Sequence, residues 1–214
     1  KTIVNSLLKF LKFVDASERI YKKFKALFDA VAEKADDSRI YKEATDEEKL
    51  NQIKYSELNE LAEKYHGMLT DDFVYNVDIP YLMLSLYGLF VPLRQSEWAT
   101  STVEVKCQKK NKGNFVCFDD KSLHVNDYKT VSKYGKKVVK LPDDLFNVIR
   151  YVTAKHGSKY LIPNRKLDDH ITSSEFTKLF NNAVGKKVSS SMLRKIYVSE
   201  KLADKAPSST RTTV

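Results

Sequence analysis

Residues 79–106 read IPYLMLSLYGLFVPLRQSEWATSTVEVK, and two periodicities meet in them. From Ile79 to Leu93 the chain is apolar apart from Ser85, with Pro80 and Pro92 near its ends. That run is too short to span a bilayer and predicts a buried core helix. From Thr102 the pattern changes. Thr102–Lys106 and Asn114–Phe118 are β-prone on either side of an Asn-Lys-Gly turn at 111–113, which predicts a hairpin. Leu123–Val125 and Lys137–Lys140 read as further short strands.

Outward from this junction both flanks are helical. On the N-terminal side Ile3, Leu7, Phe10, Leu11 and Val14 recur at helical spacing, and Ile20, Phe24, Leu27, Phe28 and Val31 make a second stripe after a cap at Asp15 or Ser17. Asp36–Glu43 is polar and reads as a loop. Thr45 with Glu48 opens a short helix, and Ser56 caps another that Gly67 ends. On the C-terminal side Leu145, Val148, Ile149 and Val152 form a stripe stopped by Gly157. Thr172 with Glu175 is a capping box before Phe176, Leu179, Phe180 and Ala183, and a last helix covers about 191–202. Helices, a small antiparallel sheet and helices again make an α+β, mostly α chain, not a βαβ nucleotide-binding fold. Two domains are expected, a helical one over residues 1–53 and a mixed one over 54–214.

Composition narrows the partner. The 214 residues carry a net charge of +9 with a pI near 9.3, which points to a polyanion. Between Lys106 and Lys140 lie ten lysines against three acids, so the excess sits in the sheet region. Lys109, Lys110, Lys112, Lys133, Lys136 and Lys137 are the candidate nucleic-acid contacts. A merely solvated lysine-rich hairpin would carry the same charge, which by itself does not separate DNA from RNA or membrane. Cys107 and Cys117 are too few for a disulfide framework and are expected as buried, reduced thiols. The first residue is not Met, so the chain is expected to be a fragment, and no secretion signal is read at its start.

Little conventional chemistry is available. The sequence has no glycine-rich phosphate loop, no metal motif and no Ser-His-Asp spacing. Its four histidines, 66, 124, 156 and 170, are scattered and read as surface or core residues. Two arginines stand out by context: Arg94 in Pro-Leu-Arg-Gln-Ser-Glu, and Arg194 in Ser-Met-Leu-Arg-Lys-Ile-Tyr. An arginine among apolar neighbours is costly to desolvate unless it is paired, for instance with Glu97, or faces an anion. Two planar guanidiniums could clamp one phosphate bidentately.

With these segments in order the chain resembles the tyrosine recombinase (phage integrase) family. Residues 92–98, PLRQSEW, look like its first arginine box. Residues 126–142, NDYKTVSKYGKKVVKLP, are similar to the hairpin that carries its catalytic lysine, and 190–197, SSMLRKIY, look like its second box, usually His-x-x-Arg. The match is nearest to integrase-like members of virophages and large DNA viruses and spans about Tyr55–Leu202, with the N-terminal helices standing for the core-binding domain.

The resemblance implies that Arg94 and Arg194 hold the scissile phosphate, that Lys129 or, in a shifted register, Lys133 is the general acid, and that Ser191 stands at the usual histidine. It also implies Glu97 as a brace for the first box, duplex DNA as partner, a tetramer on paired sites and no metal or small-molecule cofactor. The expected location is intracellular, wherever the DNA target lies, in the nucleus or a cytoplasmic viral factory. The family's nucleophilic tyrosine lies a few tens of residues after the second arginine. Here the sequence ends twenty residues after Arg194, and 207–214 resemble the approach to that tyrosine. Tyr197 reads as core or bracing. The fragment is therefore expected to bind DNA without its nucleophile. The alternatives are a recombinase-like fold that binds DNA without cutting it, and a basic helical protein for RNA or an acidic protein.

Overall fold

The computed structural model describes residues 10, 12–13, 17–40, 46–107 and 111–202; for 31–40, 47–48 and 201–202 it describes the backbone alone. The chain divides into two compact units, Lys1–Leu50 and Asn51–Val214. The first contains α1 (Glu18–Ile40) and α2 (Asp46–Leu50). Helix α1 continues through 36–40, where a loop is expected, because Ala35 and Arg39 are strong helix formers and no glycine or proline interrupts them. Of its apolar stripe Ile20, Phe24 and Leu27 are exposed and Phe28 is half-buried. The expected helix over 3–14 falls mostly outside the described residues, as do the cap positions Asp15 and Thr45.

The second unit holds α3 (Tyr55–His66), α4 (Tyr75–Gly88), α5 (Gln95–Ala99), β1 (Thr102–Glu104), β2 (Phe115–Cys117), β3 (Ser122–Val125), α6 (Val131–Tyr134), β4 (Lys137–Lys140), α7 (Asp143–His156), α8 (Ser173–Val184) and α9 (Ser190–Tyr197), which passes into a π-helical turn at Val198–Leu202. The apolar run becomes α4, buried nearly all round by Ile79, Leu82, Met83, Leu84, Leu86 and Tyr87, as a helix without a polar face must be. It starts earlier than Pro80 suggests. The buried Asp78 carboxylate accepts the Val74 N–H at 2.7 Å, caps the first turn, and is neutralised by Lys155 of α7. Helix α3 begins one residue before the expected Ser56 cap. The Tyr55 N–H donates to the Glu200 carboxylate at 2.9 Å, and its hydroxyl lies within hydrogen-bond reach of the carbonyls of Tyr87 and Phe90, sharing its one hydrogen between them. Gly157 and Gly185 end α7 and α8 in the left-handed region that glycine adopts without strain.

The sheet departs from expectation. Its order is β1-β2-β3-β4, but β1 and β2 are parallel, with Thr102 opposite Phe115 and Glu104 opposite Cys117. The Asn111–Gly113 stretch is therefore a looping return, not a hairpin turn. β3 pairs antiparallel with β2 and with β4, so the sheet is mixed. The chain is accordingly α+β and mostly helical. The parallel return also corrects the cysteine reading: it brings Cys107 and Cys117 to a Cα separation of 5.3 Å, and they form a disulfide. They are also the sulfurs of the Cys107–Cys117–Asp120 cluster of metal-ligand types, the one such cluster among the described residues.

Candidate functional site

Arg94 sits at the N-cap of α5 in an extended conformation, and Glu97 one turn on is buried. The two Glu97 oxygens are divided: Oε2 accepts the Arg94 backbone N–H at 2.9 Å, and Oε1 takes Nη1 of the guanidinium at 3.0 Å. The carboxylate thus caps the helix and aims the arginine together. The guanidinium stays one-third exposed. It is braced without being consumed, since one arm of the fork remains for a second anion.

Gln95 ties this box to α8. Its Nε2 donates to the Ser173 carbonyl, and its Oε1 accepts from the Thr177 hydroxyl at 2.9 Å. Helix α8 begins where the capping box places it, with the Thr172 hydroxyl accepting the Glu175 N–H. Helix α9 is capped by Ser189, whose hydroxyl accepts the Met192 N–H at 3.1 Å. Arg194 folds back along α9: Nε donates to the Ser190 carbonyl at 3.2 Å and Nη2 to the Ser191 hydroxyl at 3.0 Å.

One open cavity of about 510 Å³ gathers these groups. Arg94 and Arg194 line it together with Gln95, Ser96, Ser173, Ser174, Thr177, Ser190 and Ser191, and among the described residues no carboxylate does. The first turns of α8 and α9 both reach it, so backbone N–H groups and the positive ends of two helix dipoles add to the two guanidiniums. Every feature of the lining favours an oxyanion with several acceptor oxygens.

The sequence-level candidates divide accordingly. Arg94, Ser191 and Arg194 come together. Lys129 and Lys133 are exposed and do not line the cavity. Lys129 lies on the loop between β3 and α6. That loop is anchored to the start of β2 through buried Asn114, whose Oδ1 accepts the N–H groups of Asn126 at 2.9 Å and Asp127 at 2.8 Å. Asn114 Nδ2 donates to the Asp127 carbonyl at 2.9 Å and reaches the Glu97 carbonyl at 3.5 Å. Lys133 and Lys137 lie over the ring of exposed Tyr134, at 5.1 and 5.8 Å from its centroid. Lys112 and Lys136 are exposed; Lys109 and Lys110 lie outside the described residues. Tyr197 is half-buried with its ring 5.6 Å from that of Tyr55.

Gln95, Asn114, Ser173, Ser174 and Thr177 were not singled out from sequence. The Thr172–Glu175 box marked where α8 starts, but nothing local said which arginine that start would face.

Among the described residues no helix is long and apolar enough to cross a membrane. No family model and no curated protein matches the sequence. Among solved structures, a crystal structure of XerA recombinase is similar, with 14% identity and a TM-score of 0.49, covering 95% of this chain and 69% of that one.

Proposed function

We propose that this chain binds duplex DNA as the body of a tyrosine recombinase, with Arg94 and Arg194 gripping the scissile phosphate. The observation that carries the reading is the cavity: two guanidiniums from sequence-distant boxes, two helix N-termini and a ring of hydroxyls, with no acid among the described lining residues. In a trigonal-bipyramidal transition state the equatorial oxygens gain charge, and fixed cationic donors stabilise that charge more than they stabilise the ground state. Lys129 is the general acid for the leaving 5′ oxygen, with Lys133, in the short helix α6 that follows, the other candidate. Lys112, Lys133, Lys136 and Lys137 contact the flanking phosphates, with Lys109 and Lys110. Strand cleavage and rejoining run through a 3′-phosphotyrosyl link, which conserves the phosphodiester energy. Tyr197, engaged with Tyr55, is not that nucleophile. The helical unit at the N-terminus also contacts the duplex, four copies act on paired sites, and the protein works inside the cell where its DNA target lies.

A second reading, a recombinase-fold protein that binds DNA without cutting it, is favoured by Ser191. A hydroxyl that accepts from Arg194 can contact a phosphate oxygen, but it is a weak base where the family has histidine.

The test is binding of the chain to a labelled duplex across a salt series, with Arg94→Ala/Arg194→Ala beside wild type. Each lost charged hydrogen bond weakens binding by about 1.5–3 kcal/mol, so the double variant should bind at least roughly 100-fold more weakly. Its log–log salt slope should be shallower by about 0.9, since the two arginines share one phosphate. Unchanged binding would leave only a basic surface, and binding confined to RNA would sink the reading. A covalent adduct on nicked DNA, formed with a C-terminal extension supplying a tyrosine, would separate cutting from binding alone.

A further inference from the structure

We propose that the Cys107–Cys117 disulfide is a redox switch on the loop that presents Lys129 to DNA: oxidised, it holds that loop in order, and reduced, it releases it. The inference rests on the reading above, in which Lys129 acts on a phosphodiester inside the cell.

The disulfide closes a ring over residues 107–117 and ties the chain just past β1 to the last residue of β2. Asn126 and Asp127, which begin the lysine loop, make five hydrogen bonds to residues of that ring. Asn126 Nδ2 donates to the carbonyls of Asn111 at 3.0 Å and Gly113 at 3.1 Å. The other three are the bonds to Asn114 described above. Within the ring, Asn111 Oδ1 accepts the Gly113 N–H at 2.9 Å, and Asn111 Nδ2 donates to the Glu104 carboxylate. The lysine loop therefore rests on the ring, and Lys129 follows two residues after Asp127. Residues 111–114 are neither helix nor paired strand, so few bonds of their own hold them. Covalent closure is then the main limit on the freedom of the ring. No described residue of the ring lines the arginine cavity, so opening it acts on the lysine and leaves the two guanidiniums in place.

The bond can be reached and exchanged. Cys117 is fully buried, but Cys107 is only half-buried, which gives a reductant one accessible sulfur. A dithiol attacks Cys107 Sγ as a thiolate. The S–S bond breaks, and Cys117 leaves as a thiolate and takes up a proton. The second sulfur of the dithiol then displaces Cys107, so two electrons pass to the protein and the dithiol departs as its own disulfide. Inside cells disulfides are rare, and those that occur are usually transient and redox-sensing.

The experiment uses the full chain, as wild type and as Cys107→Ser/Cys117→Ser, each in oxidising buffer and in dithiothreitol, with thiol titration to confirm the state of both sulfurs. Backbone 15N order parameters and affinity for a labelled duplex are measured. On reduction the order parameters of Asn126, Asp127 and Lys129 should fall from about 0.85 to below about 0.6, with those of α4 and α7 unchanged. Duplex affinity should fall roughly two- to tenfold, the effect of having to order one long side chain on binding. The double variant should behave as the reduced protein in both buffers; should it fail to fold, wild type with and without reductant still decides. Unchanged order at 126–129 in fully reduced protein would overturn the inference. So would loss of order throughout the unit, which would make the bond a structural staple, or a loosened loop with unchanged duplex affinity. Arg94→Ala/Arg194→Ala is measured alongside in oxidising buffer: wild-type affinity there would overturn the clamp reading, whereas weakened binding with no redox response would overturn the switch alone.

Discussion

Asn114→Ala removes the side chain that holds the Lys129 loop against the start of β2, and the cost can be worked from its bonds. Asn114 is 2% exposed. Three of its hydrogen bonds are short, at 2.8–2.9 Å, all to the backbone of Asn126 and Asp127. The 3.5 Å contact with the Glu97 carbonyl is too long to count. At about 1 kcal/mol net for each short bond, and somewhat more where a partner is left buried without water, the loss is about 2–4 kcal/mol. For a unit of this size that lowers the midpoint by roughly 4–16 °C. Thermal melts give the total, and amide exchange at Asn126 and Asp127 locates it, since both N–H groups lose their acceptor. The α5 box keeps its own Glu97 brace, so duplex affinity should fall much less than in the arginine variants. A midpoint within about 2 °C of wild type, with exchange at 126 and 127 unchanged, would refute the anchoring role.

Two further outcomes follow from buried groups. His156 accepts the Ser158 N–H at Nδ1, packs edge-on against Phe73, and is held neutral by burial, which lowers its pKa to about 4. The unfolded chain takes up that proton near its ordinary pKa. The stabilisation is therefore complete above about pH 6.5 and is lost as pH falls toward 4, by on the order of 2 kcal/mol. His156→Gln should flatten the stability–pH curve in that window, and an unchanged slope would place the acid sensitivity elsewhere. Reducing Cys107–Cys117 opens a loop with a sequence separation of 10, worth about 2–3 kcal/mol by chain entropy. Dithiothreitol should then lower the midpoint by roughly 4–12 °C, and no shift would mean that the bond adds nothing to the folded state.

What could be read in advance follows from the range of the forces involved. Helix α4 was legible because fifteen residues of nearly unbroken apolarity leave a chain few choices, and the start of α8 because Thr172 and Glu175 complete a motif within one turn. The β1–β2 pairing was not. An Asn-Lys-Gly turn between two β-prone runs is a hairpin signal, and only the whole sheet shows that β1 takes β2 on one side and the 159–160 segment on the other. The disulfide was missed for the same reason, since ten residues of separation carry no information about a parallel return. Phe24 and Leu27 mark the opposite failure: a clean helical stripe predicts an amphipathic helix correctly and does not say what, if anything, covers it.

The candidate site divides along the same line. Arg94 and Arg194 could be chosen by context, because a guanidinium beside apolar sequence needs a partner wherever the chain takes it. Gln95 could not, although it hydrogen-bonds the first arginine box to α8 at two points. A glutamine in a surface-like stretch has no local signature, and its value comes from Ser173 and Thr177, about eighty residues away in sequence. That one amide, donating with one end and accepting with the other, joins the N-terminus of α8 to the first arginine box. The two arginines that line the cavity together could be named from sequence. The residues that set their separation act across the core, and only the folded chain brings them into view.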